Sequence, residues 1–213
     1  MRASRSALFA TLLFAAACSG EMPLTATPDG NAIHLVGVID DSTPGELTNA
    51  LALNTAATEI LLQNIPGSID DDANISAART LREVGIGTRV PASGVVASGG
   101  TDLFLAGAKR QIEDGACVGV HSWATGGLFG VVEGRDIPKD DEAHDLYLNY
   151  YKEMGIPEDF YWYTLEVASA AGIHWMSPRE INRFGLATTP VGTSQYESVA
   201  ARDARCNARL DAQ

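Results

Sequence analysis

From Ile33 onward, short apolar runs alternate with segments of helical period, and this alternation confines the chain to an α/β domain with a largely parallel sheet. Ile33 to Ile39 is rich in β-branched residues and reads as a strand, and Thr58 to Gln63 as a second. Thr43-Pro44-Gly45-Glu46 has the signature of a helix start, with Thr43 as N-cap, proline at the first helical position and Glu46 closing a capping box. Asp70-Asp71-Asp72 opens a helix to about Val84 whose inward face is Ile75, Ala78 and Leu81. A strand near Gly87–Val90 follows, then Gly94–Ala97 leading into a helix over 99–109, then a strand over 117–121. The remainder reads as mostly helical, over 140–154 and 157–171, with a capping box and first-turn proline in Ser177-Pro178-Arg179-Glu180.

The 213 residues suit one domain, and an apolar share of 46% is enough for a core. A net charge of -12 argues against sequence-independent nucleic-acid binding, which needs a basic surface. Arg2 and Arg5 precede a small apolar stretch from Ala7 to Ala17, the order of a secretory signal peptide over 1–17. That stretch is too short to cross a bilayer as a helix. Small residues directly before Cys18 resemble a bacterial lipoprotein box, the other reading being plain signal cleavage beside an incidental cysteine; the expectation is a lipidated Cys18 and a periplasmic, outer-membrane lipoprotein held to the membrane by its N-terminal lipid. Residues 18–31 read as a tether, 32–195 as the domain and 196–213 as a C-terminal tail with a frayed helix. Two further cysteines, Cys117 and Cys206, have two readings: a disulfide formed in an oxidising compartment, or buried free thiols.

Three segments combine special backbone with reactive side chains. Asn64-Ile65-Pro66-Gly67-Ser68 follows a strand end and turns its N–H groups outward. In Ala97-Ser98-Gly99-Gly100 a serine sits where a strand gives way to a helix N-terminus, which favours developing negative charge. Val120-His121-Ser122 ends another strand. Acyl transfer needs a hydroxyl nucleophile, a base and preorganised N–H donors, and these segments hold all three.

At these residues the sequence resembles the Clp protease proteolytic subunit. The likeness runs from the Pro66-Gly67 turn, through Ala97-Ser98-Gly99-Gly100 and Leu105 to Arg110, to Gly119-Val120-His121-Ser122 and Ser177 to Leu186. The resemblance implies a ClpP/crotonase spiral of ββα units with a helical C-terminal part. It also implies Ser98 as nucleophile, His121 as general base, and the backbone N–H groups of Ser68 and Gly99 as oxyanion hole. Within that superfamily the sequence resembles exported, single-domain ClpP-like proteins of bacteria rather than the barrel-forming cytosolic protease.

Two positions depart from the family's pattern. Ser68 replaces a second glycine in the oxyanion loop, and Ile173 stands where the aspartate of the triad is expected. Asp136, Asp141 and Glu166 are the substitute acids the sequence offers. The Ala-Ser-Gly-Gly run also resembles the signal peptide peptidase A family, whose base is a lysine; Lys152, sheltered by Tyr150 and Tyr151, would be its counterpart, with Lys109 and Lys139 the remaining lysines. His121 fits the better of the two. His34 sits mid-strand, His144 on a charged helix and His174 beside Trp175, without metal-ligand spacing, and no cofactor is implied. The aromatic cluster from Tyr147 to Tyr163 reads as helix packing or as a groove for a partner or substrate. The expected function is an exported serine hydrolase acting on a peptide or protein, with a catalytically inactive binding module as the alternative; acyl-CoA chemistry fits an exported chain poorly. The superfamily's habit of forming rings leaves a homo-oligomer open.

Overall fold

The computed structural model describes residues 22–127, 130–193 and 197–212, so the expected signal segment and Cys18 lie outside the described residues. Ten strands and seven α-helices are described within these segments. The first half alternates β1 (Thr25–Asp29), β2 (Ala32–Val36), α1 (Thr43–Leu53), β3 (Glu59–Ile65), α2 (Asp71–Val84), β4 (Gly87–Val90), β5 (Val95–Ala97), α3 (Gly99–Leu105), β6 (Arg110–Ile112) and β7 (Cys117–Val120). A hairpin of β8 (Ala124–Gly127) and β9 (Gly130–Glu133) follows, then α4 (Asp145–Met154), α5 (Glu158–Val167), β10 (His174–Trp175), α6 (Pro178–Phe184) and α7 (Val199–Leu210).

The main sheet runs β1-β2-β3-β5-β7-β10, and all pairings from β2 to β7 are parallel. β3 is the branch point. Its first half, Glu59 to Leu61, pairs with β4, while Asn64 and Ile65 pair with β5. Central strands covered on both faces carry near-continuous apolar sequence. Accordingly Val96, Val118 and Val120 face the main core, whereas Val95, Ala97 and Cys117 pack with Trp175 and Cys206 in a second cluster behind it.

Several expectations are corrected. The segment read as a tether is ordered from Met22: Leu24 is buried, and Thr25–Asp29 pairs antiparallel with β2. Its polar composition and Pro28 disguised a strand, but an edge strand tolerates both. Ser42 rather than Thr43 occupies the N-cap position of helix α1, without a side-chain cap bond; Asp40 accepts from its N–H and hydroxyl. Helix α3 stops at Leu105 rather than running to Lys109; the Thr88 hydroxyl donates to the Phe104 carbonyl at this end, and Gly107 lies so close to Thr88 that a Cβ would clash. The stretch after β7 holds the β8–β9 hairpin and β10 besides its helices.

The C-terminal segment is likewise no frayed tail. Helix α7 buries Cys206, which is bonded to Cys117, and Asn207 accepts a hydrogen bond from the Trp175 indole at 2.7 Å. The cross-link spans 89 residues of sequence, and closing a loop that long restricts the unfolded chain strongly. Cys206→Ser is therefore expected to lower the unfolding free energy by about 4 kcal/mol. Urea unfolding of both proteins, with and without reductant, checks this: reductant should bring the unaltered protein down to the variant and leave the variant unchanged. Among the described residues no helix is long and apolar enough to cross a membrane.

Candidate active site

Strands β3, β5 and β7 are parallel neighbours, so their carboxyl ends fall on one edge of the sheet, where open α/β sheets form their ligand crevices. The three singled-out segments leave from these three ends. Ser98 is the hinge between β5 and α3, with φ 51 and ψ -128, and is the only non-glycine of positive φ among the described residues. Such a backbone costs on the order of 1–3 kcal/mol and persists only where its surroundings enforce it. Here the Ser98 N–H donates to the Gly119 carbonyl at 3.1 Å, and the Thr101 hydroxyl donates to the same oxygen at 2.8 Å. These bonds tie the serine's turn to the strand that carries His121. A serine on a sharp strand-to-helix turn has its hydroxyl lifted clear of the backbone, the arrangement of a nucleophile elbow.

The Gly67–Ser68 turn lies directly against this elbow. A Cβ on Gly67 would sit 3.4 Å from the Ser98 Cβ and 3.8 Å from its hydroxyl oxygen, so a side chain here would pack against the serine. Ile39 and Ile69 complete the turn's backbone pairing, through the Gly67 carbonyl and the Ile39 carbonyl respectively. The Ser68 N–H has no acceptor among the described residues. The Gly99 N–H, first in helix α3, has none within the helix either. Ser68 points its hydroxyl at Asp71 (2.8 Å), and Asn74 of α2 donates to the Gly99 carbonyl at 3.0 Å, which fixes the two residues side by side.

His121 is half-buried, and its Nδ1 lies 2.7 Å from the Ser122 carbonyl oxygen. A carbonyl only accepts, so in the neutral ring the proton sits on Nδ1 and the lone pair on Nε2. The carbonyl is itself held: the Ser122 N–H donates to Ala168, and its hydroxyl accepts from the Arg135 N–H and donates to the Trp123 carbonyl. None of the candidate acids reaches the imidazole. Asp141 caps the turn at Ala143, Glu166 pairs with Lys139 at 3.3 Å, and Asp136 is exposed. Ile173 packs beside Gly119 in the second cluster. Ser98 and His121 line one cavity without a hydrogen bond between them. Unliganded sites often show such looser spacing, which tightens around substrate.

Reading the sequence alone missed Asp102, one helical turn below Ser98 on α3, which lines the same cavity. It is buried, and Tyr151 donates to its Oδ1 at 2.7 Å while Tyr150 donates to its main-chain carbonyl. Burial pushes its carboxyl up to about 7; the Tyr151 bond opposes this and the nearby Asp71 charge reinforces it. The fourth-residue spacing from Ser98 was the available signal. The aromatic cluster supplies both core and cavity wall: Phe160 and Tyr150 are interior, whereas Tyr147, Tyr151 and Tyr161 face the cavity. Burial raises all three of these phenols, Tyr161 to about 12, so they are neutral hydrogen-bonding groups.

The other expected groups lie elsewhere. His144 is wholly buried rather than on a charged face, bonded through its two nitrogens to the Tyr161 hydroxyl and the Pro138 carbonyl. His174 contacts Glu180 at 3.0 Å, and His34 lies 3.5 Å from Asp29. Lys109, Lys139 and Lys152 are exposed, and no lysine lines the cavity. No cluster of metal-ligating residues occurs among the described residues.

No family model and no curated protein matches the sequence. Solved structures do match. A membrane-bound stomatin-specific protease, as a lysine-to-alanine mutant in complex with a substrate peptide, aligns with a TM-score of 0.52 over 73% of each chain at 16% identity. A serine-to-alanine mutant of that protease aligns with a TM-score of 0.52, covering 73% of this chain and 77% of its own at 15% identity. The fold is ClpP/crotonase-like. At such identity the likeness carries the architecture alone, and the chemistry rests on this chain's own residues.

Proposed function

We infer that the chain is a serine hydrolase acting on peptides, with Ser98 as nucleophile, His121 as general base, and the N–H groups of Ser68 and Gly99 receiving the oxyanion. The observation that carries this reading is the enforced positive φ of Ser98, at a strand-to-helix turn that shares a cavity with His121. In the reaction, Nε2 of His121 takes the Ser98 proton as the hydroxyl oxygen attacks the scissile carbonyl. The oxyanion then lies between the Ser68 and Gly99 N–H groups. Protonated Nε2 next gives its proton to the leaving amine, and water hydrolyses the acyl-enzyme by the same route. Both matching structures are of one protease, one of them holding a substrate peptide, and the peptide substrate is proposed here by analogy of fold.

Export and lipid attachment at Cys18 belong to the same reading. They are supported by the signal-like segment before Cys18 and by the Cys117–Cys206 bond, which suits an oxidising compartment. The second reading, a binding module that keeps the fold without turnover, is favoured by one feature: His121 meets a neutral carbonyl where a carboxylate would stabilise its charged form.

Intact mass after incubation with a fluorophosphonate separates the two. The expected result is a single adduct on the unaltered protein and none on Ser98→Ala. A well-folded, unlabelled protein would overturn the hydrolase reading and leave the binding module.

A further inference from the structure

The cavity beside Ser98 is small, about 30 Å3, and the carboxyl-bearing Asp102 is part of its lining. One water needs about 10–15 Å3 of such space, so there is room for roughly two heavy atoms. Most of its polar atoms are already engaged. The Tyr151 hydroxyl donates to Asp102 Oδ1, and the Tyr161 hydroxyl accepts from the Trp123 indole and is bonded to His144. Besides the Ser98 hydroxyl and His121 Nε2, which the proposed reaction uses, the exception is Asp102 Oδ2. It has no hydrogen-bond partner among the described residues, and Asp102 is part of the cavity lining. Around it stand the aromatic faces of Trp123, Tyr147 and Tyr161.

We propose that this cavity receives the side chain of the residue whose carbonyl is attacked, and that Asp102 selects a small hydroxyl-bearing residue, serine, over alanine and over larger apolar residues. The proposal rests on the reading of Ser98 as nucleophile and names the substrate class of that site. A hydroxymethyl group is two heavy atoms: its methylene lies against the rings, and its oxygen reaches Oδ2. Alanine fills half the space and leaves the carboxyl oxygen without a solute partner. Leucine or phenylalanine overfills the cavity and seals a polar oxygen against hydrocarbon, which is unfavourable on both counts. Lysine and arginine have the charge to suit a carboxylate, but stems too long for the space.

Calorimetry of short peptides that differ only in their C-terminal residue, serine, alanine or leucine, tests this on the full chain carrying Ser98→Ala. The terminal carboxylate places that residue at the Ser68 and Gly99 N–H groups, and binding is read whether or not turnover occurs. The serine peptide is expected to bind about tenfold more tightly than the alanine peptide, with leucine weaker still. Adding Asp102→Ala should abolish the serine advantage and, by enlarging the cavity, raise leucine above alanine. Adding Asp102→Asn, which preserves size, should keep leucine excluded. Leucine binding as well as serine, or no peptide binding at all, would overturn the proposal. Failure of the nucleophile assignment shows separately, as the missing fluorophosphonate adduct on unaltered protein.

Discussion

Replacing His121 by alanine is expected to slow fluorophosphonate labelling of Ser98 by about a thousandfold, with the fold intact. Among the described residues that line the cavity, His121 is the only imidazole, and its tautomer is fixed by a carbonyl rather than by an acid. That carbonyl orients the ring but carries no full charge, so it stabilises the imidazolium less than a carboxylate does. A second expected result follows from the same geometry. Asp141→Asn and Glu166→Gln should leave the labelling rate within about twofold, because one side chain caps a turn and the other pairs with Lys139 at the surface. Stopped labelling after either substitution would mean that a distant acid acts on His121 through a rearranged loop. Unchanged labelling in His121→Ala would assign the base to another group.

The elements that hold the site were legible in the sequence because each couples an apolar run to a marked end. The β-branched strands, the Asp70 cap and the Ser177–Glu180 capping box follow from local rules that tertiary structure did not override. The cap of Asp70, whose side chain accepts from the Ala73 N–H at 2.9 Å, places α2 so that Asn74 reaches Gly99. Ser98 and His121 stood out as polar residues at the ends of apolar strands, and the structure places both on one cavity. Edge strands were not legible. β1 owes its order to β2, and β8 and β9 pair chiefly with each other, so neither carries a continuous apolar signature. The role of the Ser122 backbone could not be read either, since a main-chain carbonyl has no residue type to betray it. His144 misled for a related reason: it stands among acidic residues in the sequence, while its partners Pro138 and Tyr161 are brought to it by the fold. Asp102 is the instructive case, a charged residue in the middle of a helix whose every residue is buried. A carboxyl group in that setting conflicts with local packing, and such conflicts concentrate at sites shaped by function.

Asp102 also predicts an unusual dependence of stability on pH. Its carboxyl lies at about 7 in the folded chain, against 3.8 for an ordinary aspartate, chiefly because burial disfavours the charge. Between those values the folded protein binds a proton that the unfolded chain has released, so stability falls as pH rises through this window and is constant above it. The full loss is roughly 4 kcal/mol, of which roughly 3 kcal/mol falls between pH 5 and pH 8. Other carboxylates act in the opposite direction and in a lower range. Burial alone would raise Glu180, but bonds from Ser177 and Tyr163 hold it at about 2, and Arg89 lowers Glu59 and Glu113. Their contribution is lost as pH falls below about 4.5, under the range in which Asp102 changes charge. Urea midpoints at pH 5 and pH 8 are therefore expected to drop for the unaltered protein and to stay level for Asp102→Asn, which has nothing to ionise, so that the variant is the more stable of the two at pH 8. A level profile for the unaltered protein would show that Asp102 is charged and compensated throughout, and that the cavity lining holds a carboxylate at every pH tested. A steep profile in the unaltered protein alone would mean that the fold carries a stability cost beside Ser98, one that a single amide would relieve and that only a use for the carboxyl group accounts for.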